Sequence, residues 1–488
     1  MTNTSPATEE SSPTTAQADA GATVFDSLGK VQAQAATMRR YFETGATLDP
    51  KFRGEQLKNM KKWLKSHEKD VLYAVYQDLG KAAYETYITE LGLVYEEIDC
   101  CIKNVHSWSA PQHVSTPITM FPSSSVIYPY PYGVTLVLSP WNYPIQLALI
   151  PMVDAIAAGN CVAFKPARES AHTSAILIRM AQEVFDPQYV CGIPGSAHMN
   201  DWIMQTQWDY IMFTGSPKVG KIIMSAAANF LTPVTLELGG KSPCIVHDDA
   251  DIKIAAERIA WGKGLNCGQT CVAPDYLLVQ EDVADELVRG IADEWTKFYG
   301  DNALDSDIWP HMISEKHYNR VMGLIDNHNP NAKIVCGGTG DPATWKIQPT
   351  IMTGVTLDDP VMGEEIFGPV LPVFTYKTLD EAFDFVKHFE HPLACYIFSE
   401  SKKVQQQVIY TLQFGGMSIN DCCVHLTNDK MGFGGVGNSG MGAYHGKVGF
   451  DTFTHYKSTM AHSTKIDTDV RFPPFTADKK KLARKLMG

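Results

Sequence analysis

With 488 residues, 44% of them hydrophobic and 19% charged, the chain is too long for one hydrophobic core, and it predicts a globular protein of two or three domains. A formal charge of −13 excludes the basic footprint that nucleic-acid binders offer to phosphates. Eleven cysteines, an odd number without regular spacing and with no secretory signal ahead of them, read as reduced thiols and predict a cytoplasmic protein.

Residues 1–22 are rich in Ser, Thr and Ala, carry no Lys or Arg, and predict a disordered tail. From residue 23 to about 113 apolar residues recur at helical spacing, as in Met60, Trp63 and Leu64 and again in Ile88, Leu91, Leu93 and Val94. The uncharged stretch 114–132, rich in Pro, Ser and β-branched residues, predicts an extended arm lying against another domain or subunit. After Gly133, short apolar runs alternate with helical ones up to about residue 240: VTLVL, PIQLALIPMVDAIAAG, CVAFK, HTSAILIRMAQEVF, YIMFT and VGKIIMSAAANF. This is the signature of an α/β domain with a parallel sheet covered by helices, whose ligands sit in the loops after Leu138, Phe164 and Thr214. Val134–Val153 has the length of a membrane span and no charge, but Pro140, Pro144 and Pro151 with Ser139, Asn142 and Gln146 make it a buried strand, a loop and a helix. A second α/β domain is predicted over 241–415, with 416–470 bridging back to other parts of the protein and 471–488 forming a basic tail.

Within the second domain, the run GKGLNCGQTCVAPD (Gly262–Asp275) places Cys271 among polar and glycine residues after a helix, which suits an accessible thiol better than core filler. Cys271 is the candidate nucleophile. An ordinary thiol has a pKa of roughly 8.5, so it needs a base to be reactive at neutral pH. Glu237, at the end of a strand-like run and ahead of two glycines in LELGGK, is the candidate base. Gly215, Ser216 and Gly220 in GSPKVG follow the strand YIMFT and open a helix, which suits either a tight turn or a pyrophosphate cradle. GFGGVG also fits a dinucleotide expression, but it follows no strand and opens no helix, and it is rejected. Cys267 and Cys271, with Cys422, Cys423 and His425 as conceivable partners, lack zinc-site spacing, so no metal is expected. Adjacent Glu364 and Glu365 point to opposite faces of an extended chain, so at most one reaches a shared ligand.

Read together, PWNYP, FKP, FTGSPKVG, LELGGK, NCGQTC and EEIFGPV, in that order, resemble the aldehyde dehydrogenase superfamily. NCGQTCVAPDY and FGGVGNSGMGAYHGK are similar to its class 3 branch. The resemblance implies a Rossmann-like cofactor domain (23–113 and 133–240), a catalytic domain (241–415), a small β oligomerisation arm built from 114–132 and 416–470, and a homodimer. It implies oxidation of an aromatic or medium- to long-chain aliphatic aldehyde through a thiohemiacetal and a thioester on Cys271, with hydride passing to NAD(P). It makes Glu237 the activator of the hydrolytic water and Asn142 an oxyanion donor. Lys165 would hold the adenosine ribose, Ser216 and its glycine neighbours the pyrophosphate, Glu365 the nicotinamide ribose, and Phe367 the side of the nicotinamide ring. Where the family often has a glutamate after FKP, this chain has Arg168, which favours a 2′-phosphate and hence NADP, with NAD possible. The alternatives are a coenzyme A-acylating relative, which Glu237 argues against, and a catalytically silent protein on the same fold. No membrane partner is expected, since the terminal KKKLARKLMG is not followed by an apolar segment.

Overall fold

A computed structural model describes residues 25–196, 198–467 and 469–487; the tail expected over 1–22 lies outside the described residues. Five strands, Val134–Leu138, Cys161–Lys165, Val190–Gly192, Tyr210–Thr214 and Val234–Glu237, form a parallel sheet, and Gly440–Met441 closes one edge antiparallel to Val234–Glu237. Val134–Leu138 lies inside the sheet, buried along its whole length, which is why its side chains apart from Thr135 are apolar without alternation. Gln146–Ala158 is buried on every face and ends at Gly159, whose φ of 102° is a conformation glycine adopts without strain. This pair accounts for the apolar run that imitates a membrane span. No helix among the described residues is long and apolar enough to cross a membrane.

The second sheet has seven strands in the order Lys333–Cys336, Thr350–Thr353, Val370–Tyr376, Tyr276–Gln280, Pro243–Val246, Ala394–Phe398 and Gly416–Ile419. All neighbours are parallel except the first pair. Gly416–Ile419, the first residues of the stretch read as bridging, therefore form an edge strand of this sheet, paired with Ala394–Ile397. A third, antiparallel sheet joins Gln112–Val114, Ser123–Pro131 and Thr454–His462, the last two in register from Thr454 opposite Pro131 to His462 opposite Ser123. The terminal basic segment carries the helix Ala477–Met487.

In the first sheet the chain leaves Val134–Leu138 toward Cys161–Lys165 on one side and returns to Tyr210–Thr214 on the other. Diverging connections of this kind leave a crevice at the carboxyl ends of the two strands. The loops from Ser139 and from Gly215 open into it, and the second sheet faces it with the loop that carries Cys271.

Candidate active site

The helix Ile252–Gly264 begins with Asp251, whose side chain accepts from Ile254 N at 3.1 Å, and it is held from behind by Trp295 Nε1 donating to Ala260 O at 2.8 Å. Beyond Gly264 the backbone reverses through three left-handed residues, Asn266 (φ 51°), Cys267 (φ 54°) and Gly268 (φ 72°). Each non-glycine residue there costs roughly 1–3 kcal/mol, a strain that only dense support maintains. Glu85 accepts from Asn266 N at 2.7 Å. Gln269 donates to Asn266 O and His311 O, both at 3.1 Å, and accepts from Ile313 N at 3.0 Å. The coil turns Cys267 into the core and leaves Cys271 half-buried at the wall of a cavity of about 560 Å³. Burial, with Glu365 and Glu237 nearby, pushes the Cys271 thiol well above its ordinary value.

Glu237 ends its strand at the same cavity, 1% exposed, and neither carboxyl oxygen has a hydrogen-bond partner. Burial alone raises it well above the usual carboxylate range. The residues just after GFGGVG, the run rejected as a phosphate cradle, brace this strand end: Gly440 pairs with Glu237, and Ser439 O accepts from Leu238 N at 2.9 Å.

Asn142 borders the cavity from the first sheet. One N–H of its amide donates to Gln269 O at 3.0 Å, which leaves the second N–H unengaged, and its backbone oxygen accepts from Asn266 Nδ2 at 2.7 Å. Lys81 and Glu90, an ion pair at 2.5 Å with no solvent exposure, lie beneath this loop, and Glu90 also accepts from Ile145 N at 2.8 Å. The Lys81 ammonium sits 4.1 Å from the centroid of the Tyr143 ring.

Glu365 and Phe367 are held at the cavity by a clamp. Lys241 Nζ donates to Asp275 at 2.5 Å, to Glu364 O at 2.9 Å and to Val361 O at 3.0 Å, so its three protons are all placed. The other Asp275 oxygen accepts from Ile366 N at 2.9 Å, and Arg320 donates to the Glu364 carboxylate at 3.0 Å and to Ile366 O. Glu364 is thereby engaged at the surface while Glu365 turns inward against Gly239, where a Cβ would overlap its carboxyl group. Burial raises Glu365 to about 8, with Asp275 adding to the rise. Phe367, at φ 48°, stands edge-on to Trp141 with ring centroids 5.4 Å apart.

Gly215 and Ser216 also border the cavity, where Ser216 accepts from Val219 N at 3.4 Å and caps the helix Pro217–Ala228. Gly220 does not reach it. Gly220 lies inside that helix, where a Cβ would come 2.8 Å from Leu238 Cδ2, so its small size serves close packing of helix on sheet rather than contact with a ligand. Lys165 and Arg168 lie beyond the cavity wall on the neighbouring strand end. Lys165, whose ammonium burial lowers, donates to Pro166 O at 3.3 Å, and Arg168 is exposed. The start of the helix Pro217–Ala228, the glycine surface at Gly239 and the carboxyl group of Glu365 fit the pyrophosphate and ribose of a dinucleotide.

Cys271 also borders a second, narrower cavity of about 100 Å³. Tyr143, Trp261, Leu265, Leu426 and Phe433 line it, and Tyr143 Oη is 2.6 Å from Thr270 Oγ1. The thiol thus stands where a wide polar space and a narrow apolar one meet.

Sequence reasoning passed over Lys241, Asp275 and Arg320. The first two end motifs that were recognised, LELGGK and NCGQTCVAPD, and a charge at the end of an apolar run was the available signal. Lys81 and Glu90 carried no signal, because their pairing depends on a turn around the helix Ala83–Thr86. His391 also borders the larger cavity.

Two mainly parallel α/β sheets that share a cavity lined by a thiol and an unpaired carboxyl group are the two-domain architecture of an α/β enzyme. Residues 2–459 match the aldehyde dehydrogenase family, and the chain belongs to it. It is 45% identical over 437 residues to the 4,4'-diaponeurosporen-aldehyde dehydrogenase of Staphylococcus aureus, covering 90% of this chain and 95% of that one. It is 41% identical over 451 residues to aldehyde dehydrogenase family 3 member H1 of Arabidopsis thaliana, covering 92% and 93%. Among solved structures, a substrate-bound AldH of Staphylococcus aureus superposes with a TM-score of 0.91 at 43% identity, covering 94% of this chain and 99% of that one. A betaine aldehyde dehydrogenase of the same organism, in complex with NAD+, gives a TM-score of 0.82 at 27% identity over 91% and 92%. The protein is a class 3 aldehyde dehydrogenase, an oxidoreductase that uses NAD(P).

Proposed function

We propose that the enzyme oxidises its aldehyde through a thioester on Cys271, and that the placement of this thiol where two cavities meet is the observation that carries the reading. The aldehyde occupies the narrow apolar cavity, and aromatic and medium- to long-chain aliphatic aldehydes suit its walls. NAD(P), bound in the wide one, supplies a hydride acceptor. The Cys271 thiolate adds to the carbonyl carbon, and the oxyanion receives hydrogen bonds from the free N–H of Asn142 and from Cys271 N. After hydride loss, Glu237 takes a proton from the water that cleaves the thioester, releasing the carboxylic acid and the thiol. An unpartnered, buried carboxyl group is a stronger base than an exposed one, which suits it to this step.

The capped start of the helix Pro217–Ala228, with Gly215 and Ser216, holds the pyrophosphate, and Glu365 and Phe367 hold the nicotinamide end. Lys165 and Arg168 serve the adenosine end, and the guanidinium of Arg168 gives a preference for NADP. The protein works in the cytoplasm, consistent with eleven free cysteines, and as a homodimer joined through the arm sheet, whose edge strand Thr454–His462 offers exposed backbone to a second copy. Rapid mixing with an aldehyde and each cofactor tests the reading. One equivalent of reduced nucleotide formed in a burst, with the higher kcat/KM for NADP, is expected; absence of aldehyde-dependent reduction with either cofactor overturns it.

A further inference from the structure

Asn142 stands on the loop between the strand Val134–Leu138 and the helix Gln146–Ala158, and one N–H of its amide is tied to Gln269 O. Where the free N–H points is therefore set by how the loop backbone is held. The helix that follows has no cap from the side chain that precedes it. Its cap comes from a distant part of the chain: Glu90 Oε2 accepts from Ile145 N at 2.8 Å and from Gln146 N at 3.4 Å, which sets a negative group at the positive end of the helix.

The ion-pair partner of Glu90 holds the other end of the loop. Lys81 Nζ, 2.5 Å from Glu90 Oε1, donates to Asn142 O at 3.4 Å and lies 4.1 Å from the centroid of the Tyr143 ring. Asn142, Tyr143, Ile145 and Gln146 are thus gripped by one pair of charges. Glu90 belongs to the π-helical turn Tyr87–Leu91, and Glu90 and Leu91 are its buried residues; turns of this kind are rare and concentrate at functional sites.

An ion pair without solvent exposure contributes little net stability, because taking both charges out of water offsets their attraction, and apolar residues of similar volume often serve a fold as well. The use of this pair is geometric. Neither Lys81 nor Glu90 borders either cavity, so neither touches aldehyde or nucleotide. A donor already in place when charge develops spares the reorganisation that a mobile one would need.

We propose that Lys81 and Glu90 are positioning residues for aldehyde oxidation, which together fix the loop so that the free N–H of Asn142 meets the oxygen of the adduct on Cys271. The proposal rests on the reading of Asn142 as an oxyanion donor.

Replacing one member alone would leave a buried charge unpaired, so both are replaced together, as Lys81→Met with Glu90→Leu. The measurement is the rate of the first burst of reduced nucleotide at saturating aldehyde, with nucleotide affinity and Tm followed alongside. The double replacement is expected to slow the burst about tenfold with nucleotide affinity unchanged. Lys81→Met with Glu90→Gln, which keeps an acceptor for Ile145 N, is expected to regain part of that rate. Made in an Asn142→Ala background, the first double replacement is expected to slow the burst by less than about twofold further, since the residue it acts through is gone. Equal slowing in both backgrounds, or none with Asn142 present, overturns the proposal. If the leucine form does not fold, the glutamine form carries the same comparison. A burst of normal rate in Asn142→Ala alone removes the oxyanion reading and this proposal with it, whereas a slowed burst there with additive losses removes only this proposal.

Discussion

The two cavities that meet at Cys271 are built in different ways. The wide one is made largely of backbone and fixed charge: strand ends, a helix start, the glycine surface at Gly239, and a loop pinned by Lys241, Asp275 and Arg320. The narrow one is made of side chains brought from distant parts of the chain, among them Ile88, Tyr143, Trp261, Leu426 and Phe433. A backbone-built site binds one invariant ligand, since its shape follows from the fold. A side-chain-built site is set residue by residue, and under the proposed function the choice of aldehyde is made there.

Substitutions at the shared wall test the contrast most severely. Cys271→Ala removes the group both spaces serve, and aldehyde-dependent reduction of either nucleotide is expected to fall by roughly 10⁴-fold or more; substantial residual turnover would refute the covalent route. Glu237→Gln is expected to slow steady-state turnover by about 10²–10⁴-fold while the first equivalent of reduced nucleotide still appears. The same change should stabilise the fold at neutral and alkaline pH. The native carboxyl group keeps its proton to a higher pH than in the unfolded chain, so above the unfolded value of about 4.3 it progressively disfavours folding, and glutamine removes that loss. A thermal melt across pH checks the sign. Asn142→Ala, on the first-sheet side, should lower kcat by about 10²–10³-fold with little change in nucleotide binding.

Smaller effects separate the two spaces. Arg168→Ala should reduce kcat/KM with NADP by about tenfold, leave NAD unchanged and leave the order of aldehydes untouched; an equal loss with both nucleotides would remove the 2′-phosphate role. The smallest effect is electrostatic. Glu365 ionises near 8 and its charge then opposes the thiolate, so Glu365→Gln should speed alkylation of Cys271 by iodoacetamide only above about pH 8. Faster alkylation already at pH 6 would place the coupling elsewhere.

The contrast also explains what was legible in the chain. Backbone-built features leave local marks, because a strand end followed by glycine must be written as such: GSPKVG, LELGGK and EEIFGPV disclosed Gly215, Ser216, Glu237 and Glu365 at the wide cavity. Gly220 shows the limit of that code, since packing against Leu238 demands the same residue as a phosphate would. The narrow cavity left almost no mark. Tyr143 is marked only by adjoining Asn142 in PWNYP, while Trp261, Phe433 and His445 look in sequence like ordinary core or loop residues. Ion pairs went unread even where a motif contained their members, as with Lys241 and Asp275, and left no mark across a turn, as with Lys81 and Glu90.

The central assertion is that Cys271 carries the acyl group. Glu237→Gln enzyme, mixed with an aldehyde and NAD(P), quenched in acid and digested, allows the peptide bearing residue 271 to be weighed. An acyl group on that peptide, equal in amount to the reduced nucleotide formed, is the expected result. Reduced nucleotide without the adduct, or with the adduct on another residue, would contradict the account.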